Sequence, residues 1–443
     1  MPSRYAIGWL IVSLCAMVIS TTRAGESLRV SPGNDAKQTS VLQEAIERCG
    51  DAGGGTVTLA PGTYRCGSLF LKSHVVLALE KGATIKGSED DDDYPVIDTR
   101  IAGLEMKHPA ALVNAIDCTD VALIGEGTID GSGQKWWDRF WQYRAEHGRG
   151  IDFQVPRPRL VCFTRCQRVR ISGLRLQDPP FWCLHILYSR NVDIDSLTIR
   201  APRKAASSDG IDVDSSGDVR ISKCDIACDD DCIAIKAGRD ADGLRVNKPS
   251  ENVTITDCAL GAGAGVAIGS ETAGGIRNVT VSRCTFDGSS AAVRIKTAPG
   301  RGGVVEEITY QDITARRVTR PIEIVMNWGG DDWKKHIDPK FTAAPVPSDK
   351  GLPVFRDIHI RNLTATDGPS AGSAGVLLGL ADSPLTGVTF QNVSIAAQRG
   401  LTVDHTRDVS FDELKVLAAE GPSFIRRGDR PAPTSNSHTP RQP

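Results

Sequence analysis

The chain has 443 residues, a formal net charge of -2, 40% hydrophobic residues and 44 glycines, but only 5% aromatic residues. A charge this balanced argues against nucleic acid or an anionic membrane surface as a partner. The high glycine and low aromatic content favour many short strands and turns over long packed helices.

The first 24 residues have the composition of a secretory leader. Arg4 supplies a positive charge, residues 6–19 are nearly all apolar, and the T-R-A at 22–24 ends on a small residue suited to cleavage. A membrane anchor is the alternative, but the apolar run is short for a span of about 20 residues. We therefore expect residues 1–24 to be a signal peptide and the mature protein to be secreted or periplasmic, with no membrane partner after cleavage.

A short helix is predicted next. Residues 37–49 have apolar side chains at helical spacing, and Gly50 follows them. Short β runs separated by glycine turns come directly afterwards. A helix in this place would cover the open end of a stack of strands, which would otherwise be free to pair with other chains.

An internal repeat extends through most of the remaining chain. Its copies include QRVRISGLRL, RNVDIDSLTI, GDVRISKCDI, ENVTITDCAL and RNVTVSRCTF, each with an apolar anchor at its third residue. By subtraction of positions, successive anchors are mostly 21 to 34 residues apart, and one step of 50 must hold an insertion or an extra coil. The anchors are Val169, Val192, Val219, Val253, Val279, Ile308, Ile358, Val388 and Val409, with an earlier copy from Val121.

No helix of useful length fits between successive copies, so alternating β and α units are disfavoured. The repeat predicts an all-β parallel solenoid with an N-terminal capping helix. We expect one domain over residues 25–420 and a disordered tail over residues 421–443, which are rich in Pro, Ser and Arg.

The cysteines follow the repeat as well. Cys224, Cys258 and Cys284 all stand five residues after an anchor, which predicts a buried column of thiols and not a metal site, because a metal needs convergent ligands. Of the 12 cysteines, eleven remain after the leader, an odd number, so at least one is unpaired or pairs between molecules. The pairing stays open, with local candidates Cys49 with Cys66, and Cys162 with Cys166 or Cys183.

Three aspartates should meet at the second strand of two consecutive coils. Asp209 and Asp231 each stand two residues before a β-branched run, at Ile211 and Ile233, and Asp230 precedes Asp231. Coils in such a stack are about 4.8 Å apart, so Asp209 and Asp231 are predicted neighbours in one column. Two carboxylates this close repel each other, so at least one pKa should rise, as a general acid requires.

The same face gathers cations and small residues. Lys236, Arg294 and Lys296 fall on neighbouring strands, and Ala264 and Gly269 are among the small residues that leave room for a ligand. A solvated stack of surface charges is the alternative interpretation. The small residues favour a binding site.

The segments SSDGIDV, DDDCIAIK, GAGAGVAIGS and VRIK, in this order on the repeat, resemble the four signature blocks of glycoside hydrolase family 28, the polygalacturonases and their relatives. The resemblance covers nearly the whole mature chain to about residue 416. It implies a single-stranded right-handed parallel β-helix of the pectin-lyase-like type. It also implies an O-glycosyl hydrolase that cleaves galacturonic-acid-containing pectin with inversion, without a metal or other cofactor.

The resemblance also implies roles for individual residues. Asp230 matches the general acid, Asp209 and Asp231 match the pair that activates water, and Arg294 and Lys296 match the residues that hold a substrate carboxylate. A planar guanidinium can bind a uronate in a bidentate way, and an ammonium can hold it as a point charge. Further predicted substrate contacts are Lys236, Trp328 and Ser207.

The chain departs from the family pattern at three positions. Ala264 stands where the family has a histidine, Ser207 where it has an asparagine, and Trp328 where it has a tyrosine. The histidine is thought to tune the water-activating carboxylates, so the substrate stays open. The alternatives are a rhamnogalacturonan or substituted-pectin hydrolase, a polysaccharide lyase on the same fold, and a non-catalytic carbohydrate-binding solenoid.

Two insertions are predicted to flank the groove. The first contains Trp136, Trp137, Phe140 and Trp141, which either stack on sugars or pack the loop, and the second spans residues 327–352. Two such insertions would close the groove end, which favours exo-cleavage. We expect a monomer with a pectic polysaccharide or oligogalacturonide as substrate and no nucleic-acid partner, and we read the acidic run at 89–93 as a solvated turn and not a calcium site.

Overall fold

The computed structural model describes residues 25–33, 37–148, 152–329, 346 and 350–427. The predicted signal peptide, most of the insertion at 327–352 and residues 428–443 lie outside the described residues. Within the described part of the chain, no helix is long and apolar enough to cross a bilayer.

The chain winds as a right-handed parallel β-helix, and 32 of its strands form one continuous sheet folded into three faces. The anchor face contains β1 (Glu26–Val30), β2 (Gly55–Leu59), β5 (Val75–Leu79), β10 (Thr119–Gly125), β13 (Gln167–Ser172), β16 (Arg190–Asp195), β19 (Gly217–Ser222), β22 (Ser250–Thr256), β25 (Ile276–Ser282), β28 (Val304–Arg316), β31 (Ile358–Thr366), β33 (Leu385–Asp404) and β34 (Thr406–Arg427).

The second face, called the site face, contains β4 (Leu69–Leu71), β9 (Val113–Ile116), β12 (Val161–Thr164), β15 (Leu184–Leu187), β18 (Ile211–Asp214), β21 (Ile233–Lys236), β24 (Val266–Ile268), β27 (Val293–Lys296), β29 (Ile322–Val325) and β32 (Ser373–Leu378). The third face contains β3 (Gly62–Cys66), β6 (Ala83–Gly87), β11 (Thr128–Asp130), β14 (Arg175–Gln177), β17 (Thr198–Arg200), β20 (Asp225–Ala227), β23 (Ala259–Leu260) and β26 (Thr285–Asp287). The short β30 (Val354–Phe355) pairs with β28, and β7 (Val96–Ile101) and β8 (Leu104–Pro109) form a separate antiparallel hairpin.

The predicted register of the repeat is confirmed along the whole anchor face. Every anchor from Val121 to Val409 is the direct partner of the next one in an adjacent parallel strand, and all are buried. Ile308 pairs directly with Ile358, so the step of 50 residues holds an insertion and not an extra coil.

A tight bend precedes the anchors and explains the residue types found there. Asn191, Asp218, Asn252 and Asn278 all have φ between 53° and 57°. Asn and Asp tolerate this left-handed conformation better than other non-glycine residues. The side chains also connect neighbouring coils, because Nδ2 of Asn278 donates to Oδ1 of Asn252 at 2.7 Å.

The N-terminal helix is present as predicted. The helix α1 (Thr39–Asp51) buries Leu42, Ile46 and Cys49 against the first coils. It joins the same hydrophobic core that runs through the whole β-helix. Its apolar side therefore covers one end of the stack.

The first insertion differs from the expected loop. It forms the helix α2 (Gln134–His147), in which Trp136, Trp137 and Phe140 are buried, while Trp141 is exposed and its Nε1 donates to the Lys204 carbonyl. Packing of the insertion on the β-helix is therefore the correct interpretation for three of the four aromatic residues. A third helix, α3 (Asp240–Val246), lies beside the β7–β8 hairpin.

Three other expectations can be compared with the structure. The strand β34 continues to Arg427, seven residues beyond the predicted end of the solenoid, because its pairing with β33 continues over Leu401–Asp404. All eleven described cysteines are buried thiols, including the column of Cys224, Cys258 and Cys284. The acidic run forms a 3-10 turn, Asp91–Asp93, which pairs with Lys37, Lys135 and Arg139.

Candidate active site

The site face brings the predicted aspartates together through its register. Ile211 pairs with Ile233, and the same row continues through Val266 and Val293. The backbone N–H of Gly210 donates to the carbonyl of Asp231 at 2.9 Å, which ties the two strand entrances to each other.

Three carboxylates meet at this point. Asp209, Asp230 and Asp231 each offer an oxygen within 4.8 Å of the others. Asp209 and Asp231 are 3% and 1% exposed, whereas Asp230 is only partly buried. Two of the carboxylates are therefore enclosed, and Asp230 is the one that a ligand can reach.

Buried cations compensate this negative charge. Nζ of Lys296 lies 2.7 Å from Oδ2 of Asp231, and Nη1 of Arg294 lies 3.5 Å from Oδ1 of the same carboxylate. Nζ of Lys236 lies 3.3 Å from Oδ2 of Asp209. The three carboxylates form the one acidic or thiol cluster, among the described residues, that could chelate a metal ion. Because these cations already balance it, the cluster is a poor cation site.

The surroundings separate the proton affinities of the three acids. Burial and the neighbouring Asp231 charge raise the pKa of Asp230. Burial, with Asp212 and Asp230 nearby, raises the pKa of Asp209 well above its ordinary value. Burial alone would also raise the pKa of Asp231, but the charges of Lys296, Lys236 and Arg294 outweigh it and lower that pKa. The site thus holds one ionised acid beside two that retain protons more readily.

Lys236 was predicted to contact the substrate, but the structure buries it beneath the site. It is 5% exposed, and its Nζ also lies 3.4 Å from Asp212 and 3.7 Å from Glu271. Burial and the charge of Lys236 act in opposite directions on Asp212, with a net rise of its pKa to about 6. Lys236 therefore holds three carboxylates from beneath the site, and it is enclosed because Trp182 packs 4.9 Å from its Nζ.

Arg294 is held by a partner on the next coil. Its Nε donates to Oε2 of Glu323 at 2.7 Å, and its Nη2 donates to Oγ of Ser290 at 3.2 Å. Glu323 is buried and also pairs with Arg320. The ring of Trp328 lies 5.3 Å from Cζ of Arg294 and 5.0 Å from Nζ of Lys296, so this predicted contact does lie at the site.

A cleft of about 320 Å³ lies beside Asp230. Its lining includes Arg203, Asp229, Asp230, Ala264 and Arg294. Ala264 presents only a methyl group there, and its backbone N–H donates to the Asp230 carbonyl at 2.8 Å. Of the three acids, Asp230 lines this cleft, so a ligand in the cleft can contact Asp230 directly.

Ser207 points to a different partner. Its Oγ donates to Oδ1 of Asp152 at 2.8 Å, and the same oxygen accepts from Nη2 of Arg157 at 2.6 Å. The hydroxyl is therefore engaged beside the cleft and does not line it.

Sequence reasoning missed several residues of this site. Glu323 lies on the same face of the repeat as Arg294. This placement in the sequence could have indicated that the two side chains interact. Arg203 and Glu271 lie in turns that the strand register does not align, whereas Asp229 directly precedes Asp230 in the segment DDDCIAIK and could have been found from that position. Burial and the Asp230 charge raise the pKa of Asp229 to about 6.

Comparison with known proteins gives consistent matches. The model of the glycosyl hydrolases family 28 matches residues 82–413. A probable polygalacturonase of Vitis vinifera is 32% identical over 368 residues, which cover 81% of this chain and 70% of that protein. The crystal structure of a hyperthermoactive exopolygalacturonase from Thermotoga maritima is 28% identical, with a TM-score of 0.70, over 88% of this chain and 93% of that one. A family 28 exopolygalacturonase from Yersinia enterocolitica, at 20% identity and a TM-score of 0.77, shares the fold over 93% of this chain and 78% of that one.

Proposed function

The chain belongs to the glycosyl hydrolases family 28 and is an O-glycosyl hydrolase, and on that premise we propose that it hydrolyses galacturonic-acid-containing pectic chains with inversion. The observation that carries this proposal is the meeting of Asp209, Asp230 and Asp231 within 4.8 Å of one another, with Asp230 and Arg294 on the lining of an open cleft. A glycosidase needs one protonated carboxyl at the leaving oxygen and one carboxylate for water or for covalent attack.

Asp230 is the proposed general acid. It is the most exposed of the three acids, and its raised pKa favours the protonated form. It donates its proton to the glycosidic oxygen as the bond from that oxygen to the anomeric carbon breaks. Such proton transfer contributes about 10²–10⁴-fold to the rate.

Asp231 is the proposed base, with Asp209 as the second group that positions the water. The pKa of Asp231 is lowered, so it is ionised and can accept a proton from water as the water oxygen bonds to the anomeric carbon. One water is consumed, and proton exchange with solvent restores both acids.

Burial is the argument for inversion. Asp209 and Asp231 are too enclosed to reach a sugar carbon themselves, whereas a water held between them is small enough to do so. The three acids lie closer together than the roughly 6.5–9.5 Å that is usual for inverting enzymes. The stereochemistry of the first product therefore tests this part of the proposal directly.

Arg294, Lys296 and Trp328 are the proposed contacts for the substrate. Arg294 lines the cleft, and its Nη1 and Nη2 make only long contacts, 3.5 Å to Asp231 and 3.2 Å to Ser290. These two nitrogens can donate instead to a uronate carboxylate. Trp328 packs against both cations and limits their motion. The exposed Arg203 offers a second cation on the cleft lining, suited to the next uronate of an acidic chain.

We also propose that the enzyme is secreted and cleaves pectic chains from their ends (exo-cleavage). The similarity to the Thermotoga maritima exopolygalacturonase supports it, as does the β7–β8 hairpin, which the Glu105 N–H joins to Oδ2 of Asp242 in α3 at 2.9 Å. The hairpin contacts the strand end of the site face, because the Arg239 N–H donates to the Gly103 carbonyl at 3.1 Å. The composition of residues 1–24 supports export.

A substituted or rhamnose-containing pectin is the second candidate substrate. Ala264 favours it, because the space that a larger side chain would fill at this position opens into the cleft. A lyase reaction is disfavoured, since the carboxylates around Lys236 raise its pKa well above the ordinary value and keep it protonated, although burial opposes this. Arg294 and Lys296 are likewise paired with carboxylates.

The test is product profiling on polygalacturonate, rhamnogalacturonan and xylose-substituted pectin, with reducing ends, unsaturated products and the anomer of the first product recorded. We expect mono- or digalacturonides of inverted configuration to accumulate while viscosity falls slowly. Release from only the substituted or rhamnose-containing polymer would select the second candidate. Unsaturated products would identify a lyase, and binding without turnover on any of these polymers would identify a carbohydrate-binding protein.

A further inference from the structure

Two thiols lie at the ends of the turn that carries Asp230 and Asp231. Cys228 and Cys232 are 1% and 0% exposed, and their sulfur atoms are 3.9 Å apart. Neither thiol has a role in the hydrolysis proposed above. Only Asp229, Asp230 and Asp231 separate them in the chain.

The next coil packs on both sulfurs at once. A Cβ atom at Gly263 would lie 2.7 Å from Sγ of Cys232 and 3.1 Å from Sγ of Cys228. With φ of +129°, Gly263 also has a backbone conformation that other residues rarely adopt. The two sulfurs therefore share one enclosed space, and no side chain separates them from this direction.

We propose that Cys228 and Cys232 form a disulfide that closes the turn bearing Asp230 and Asp231. Sulfurs in a disulfide are about 2.05 Å apart, so this pair must approach by roughly 1.9 Å from its present 3.9 Å. This approach requires rotation of one or both cysteine side chains. Disulfides persist in oxidising compartments, which agrees with the leader-like composition of residues 1–24.

The proposed oxidant is a low-molecular-weight disulfide. One cysteine thiolate attacks it, forming a mixed disulfide and releasing one thiolate. The second cysteine thiolate attacks the mixed disulfide and releases the other. Two cysteine thiols are thus oxidised to one cystine, the external disulfide is reduced to two thiols, and the two protons lost by the cysteines are taken up by the two released thiolates.

The surroundings indicate when this exchange occurs. The hydrogen bond with Cys232 and burial raise the pKa of the Cys228 thiol well above its ordinary value. Because the thiolate is the attacking species, exchange in the folded protein is slow. We therefore expect the bond to form while the chain folds, and then to resist reductants because both sulfurs are enclosed.

The bond is expected to stabilise the turn with little effect on catalysis. The turn is already attached to the coils on both sides, since Gly210 N–H donates to the Asp231 carbonyl and Ala264 N–H to the Asp230 carbonyl. Oxidation therefore retains the positions of the acids. It removes conformations of the unfolded chain, which raises Tm by a few degrees.

The first test counts thiols. The full chain is expressed with export to an oxidising compartment and, in parallel, in a reducing cytosol. It is alkylated in denaturant at lysis, so that buried thiols also react, and is then mapped by tandem mass spectrometry of its peptides. In the exported protein we expect the peptide 224–236 to carry one alkyl group, at Cys224, and a 2 Da loss from a bond between Cys228 and Cys232, with Cys284 alkylated on its own peptide. Alkylation of both Cys228 and Cys232, or a bond from either to another cysteine, would overturn the proposal. This count is independent of activity and of any variant.

The second test measures the effect of the bond. Prolonged reduction of the exported protein should lower Tm by a few degrees and change kcat less than twofold. The double variant Cys228→Ala/Cys232→Ala should show no shift on reduction, whereas the control Cys284→Ala, which removes an equally buried thiol elsewhere, should keep it. An identical Tm before and after complete reduction would refute the stabilising role.

Discussion

Nζ of Lys296 lies 2.7 Å from Oδ2 of Asp231, although 65 residues separate them in the chain. This contact crosses from β27 to the entrance of β21, past the intervening coil that carries β24. It makes the lysine the nearest cation to the carboxylate that we propose as the base. Of the three cations that lower the pKa of Asp231 against the effect of burial, Lys296 has the largest influence, from two coils away.

Removal of this lysine should shift the pH dependence of the reaction. The pKa of Asp231 is lowered in the folded enzyme, so the base is ionised until the pH falls through that lowered value. In Lys296→Met the pKa of Asp231 should rise. The acidic limb of the pH profile of kcat should therefore move to higher pH by about 1–2 units. Lys296→Arg keeps a positive charge at this position, so its acidic limb should stay close to the pH of the wild-type limb. An unshifted limb in the methionine variant would exclude Asp231 as the titrating base.

The raised pKa of Asp230 predicts the opposite limb. Activity should fall as the pH rises through the pKa of this acid, because the deprotonated form cannot protonate the leaving oxygen. Asp230→Asn should lower kcat by about 10²–10⁴-fold with a nearly unchanged far-UV spectrum, as measured by reducing-end release. Asp225→Asn, on the exposed third face, is the matched control. Retained activity in Asp230→Asn would remove the general acid from this site.

Glu323 should act through Arg294. Its carboxylate accepts from Nε of Arg294 at 2.7 Å, which orients the guanidinium toward the cleft. In Glu323→Gln the charge-assisted bond is weakened, and we expect KM for polygalacturonate to rise about 10-fold with kcat less affected, consistent with about 1–2 kcal/mol for such a bond. The comparison with methyl-esterified pectin is diagnostic, because a neutral substrate should show a smaller change. Equal effects on both substrates would indicate a purely structural role.

Lys236 should be essential for stability. It is the shared partner of Asp209, Asp212 and Glu271 within the β-helix. Lys236→Met leaves buried carboxylates without their cation, which we expect to lower the free energy of unfolding by about 3–5 kcal/mol. Denaturant unfolding at neutral pH measures this, with Lys81→Met on an exposed turn as the control. A loss below about 1 kcal/mol would show that the carboxylates are held in another way.

Asp212 should make stability depend on pH with a defined sign. Its pKa is raised to about 6, from an ordinary value of 3.8, so the folded state binds this proton more tightly than the unfolded state does. Stability contributed by the proton is complete below about pH 4 and is lost as the pH rises toward 6, by up to about 3 kcal/mol. The free energy of unfolding of Asp212→Asn should lack this slope, so the difference between wild type and variant should depend on pH over this range. A slope that persists unchanged would assign the titration to another group.

Much of the fold and site could be predicted from the repeat, for a physical reason. In a parallel β-helix, equal positions on successive coils become hydrogen-bonded neighbours, so the anchors, the thiol column and the pair Asp209 and Asp231 follow from spacing alone. The same logic placed Arg294 and Lys296 on one face. The roles proposed for these residues remain predictions for the experiments above.

The parts that could not be predicted lie outside the repeat. The helix α2, the β7–β8 hairpin and the turn with Glu271 are insertions whose paths depend on the surface against which they pack. The sequence also did not indicate the direction of individual side chains. Ser207 turns to Asp152, and Lys236 turns inward to three carboxylates.

The amino-acid sequence by itself determined the winding, the register and which acids share a column, since each depends on local periodicity repeated many times. Only the tertiary structure decided which of those acids is open to a ligand and which cations lower or raise each pKa. Exposure and electrostatics depend on every neighbouring coil and insertion at once, and no single spacing in the chain contains that information.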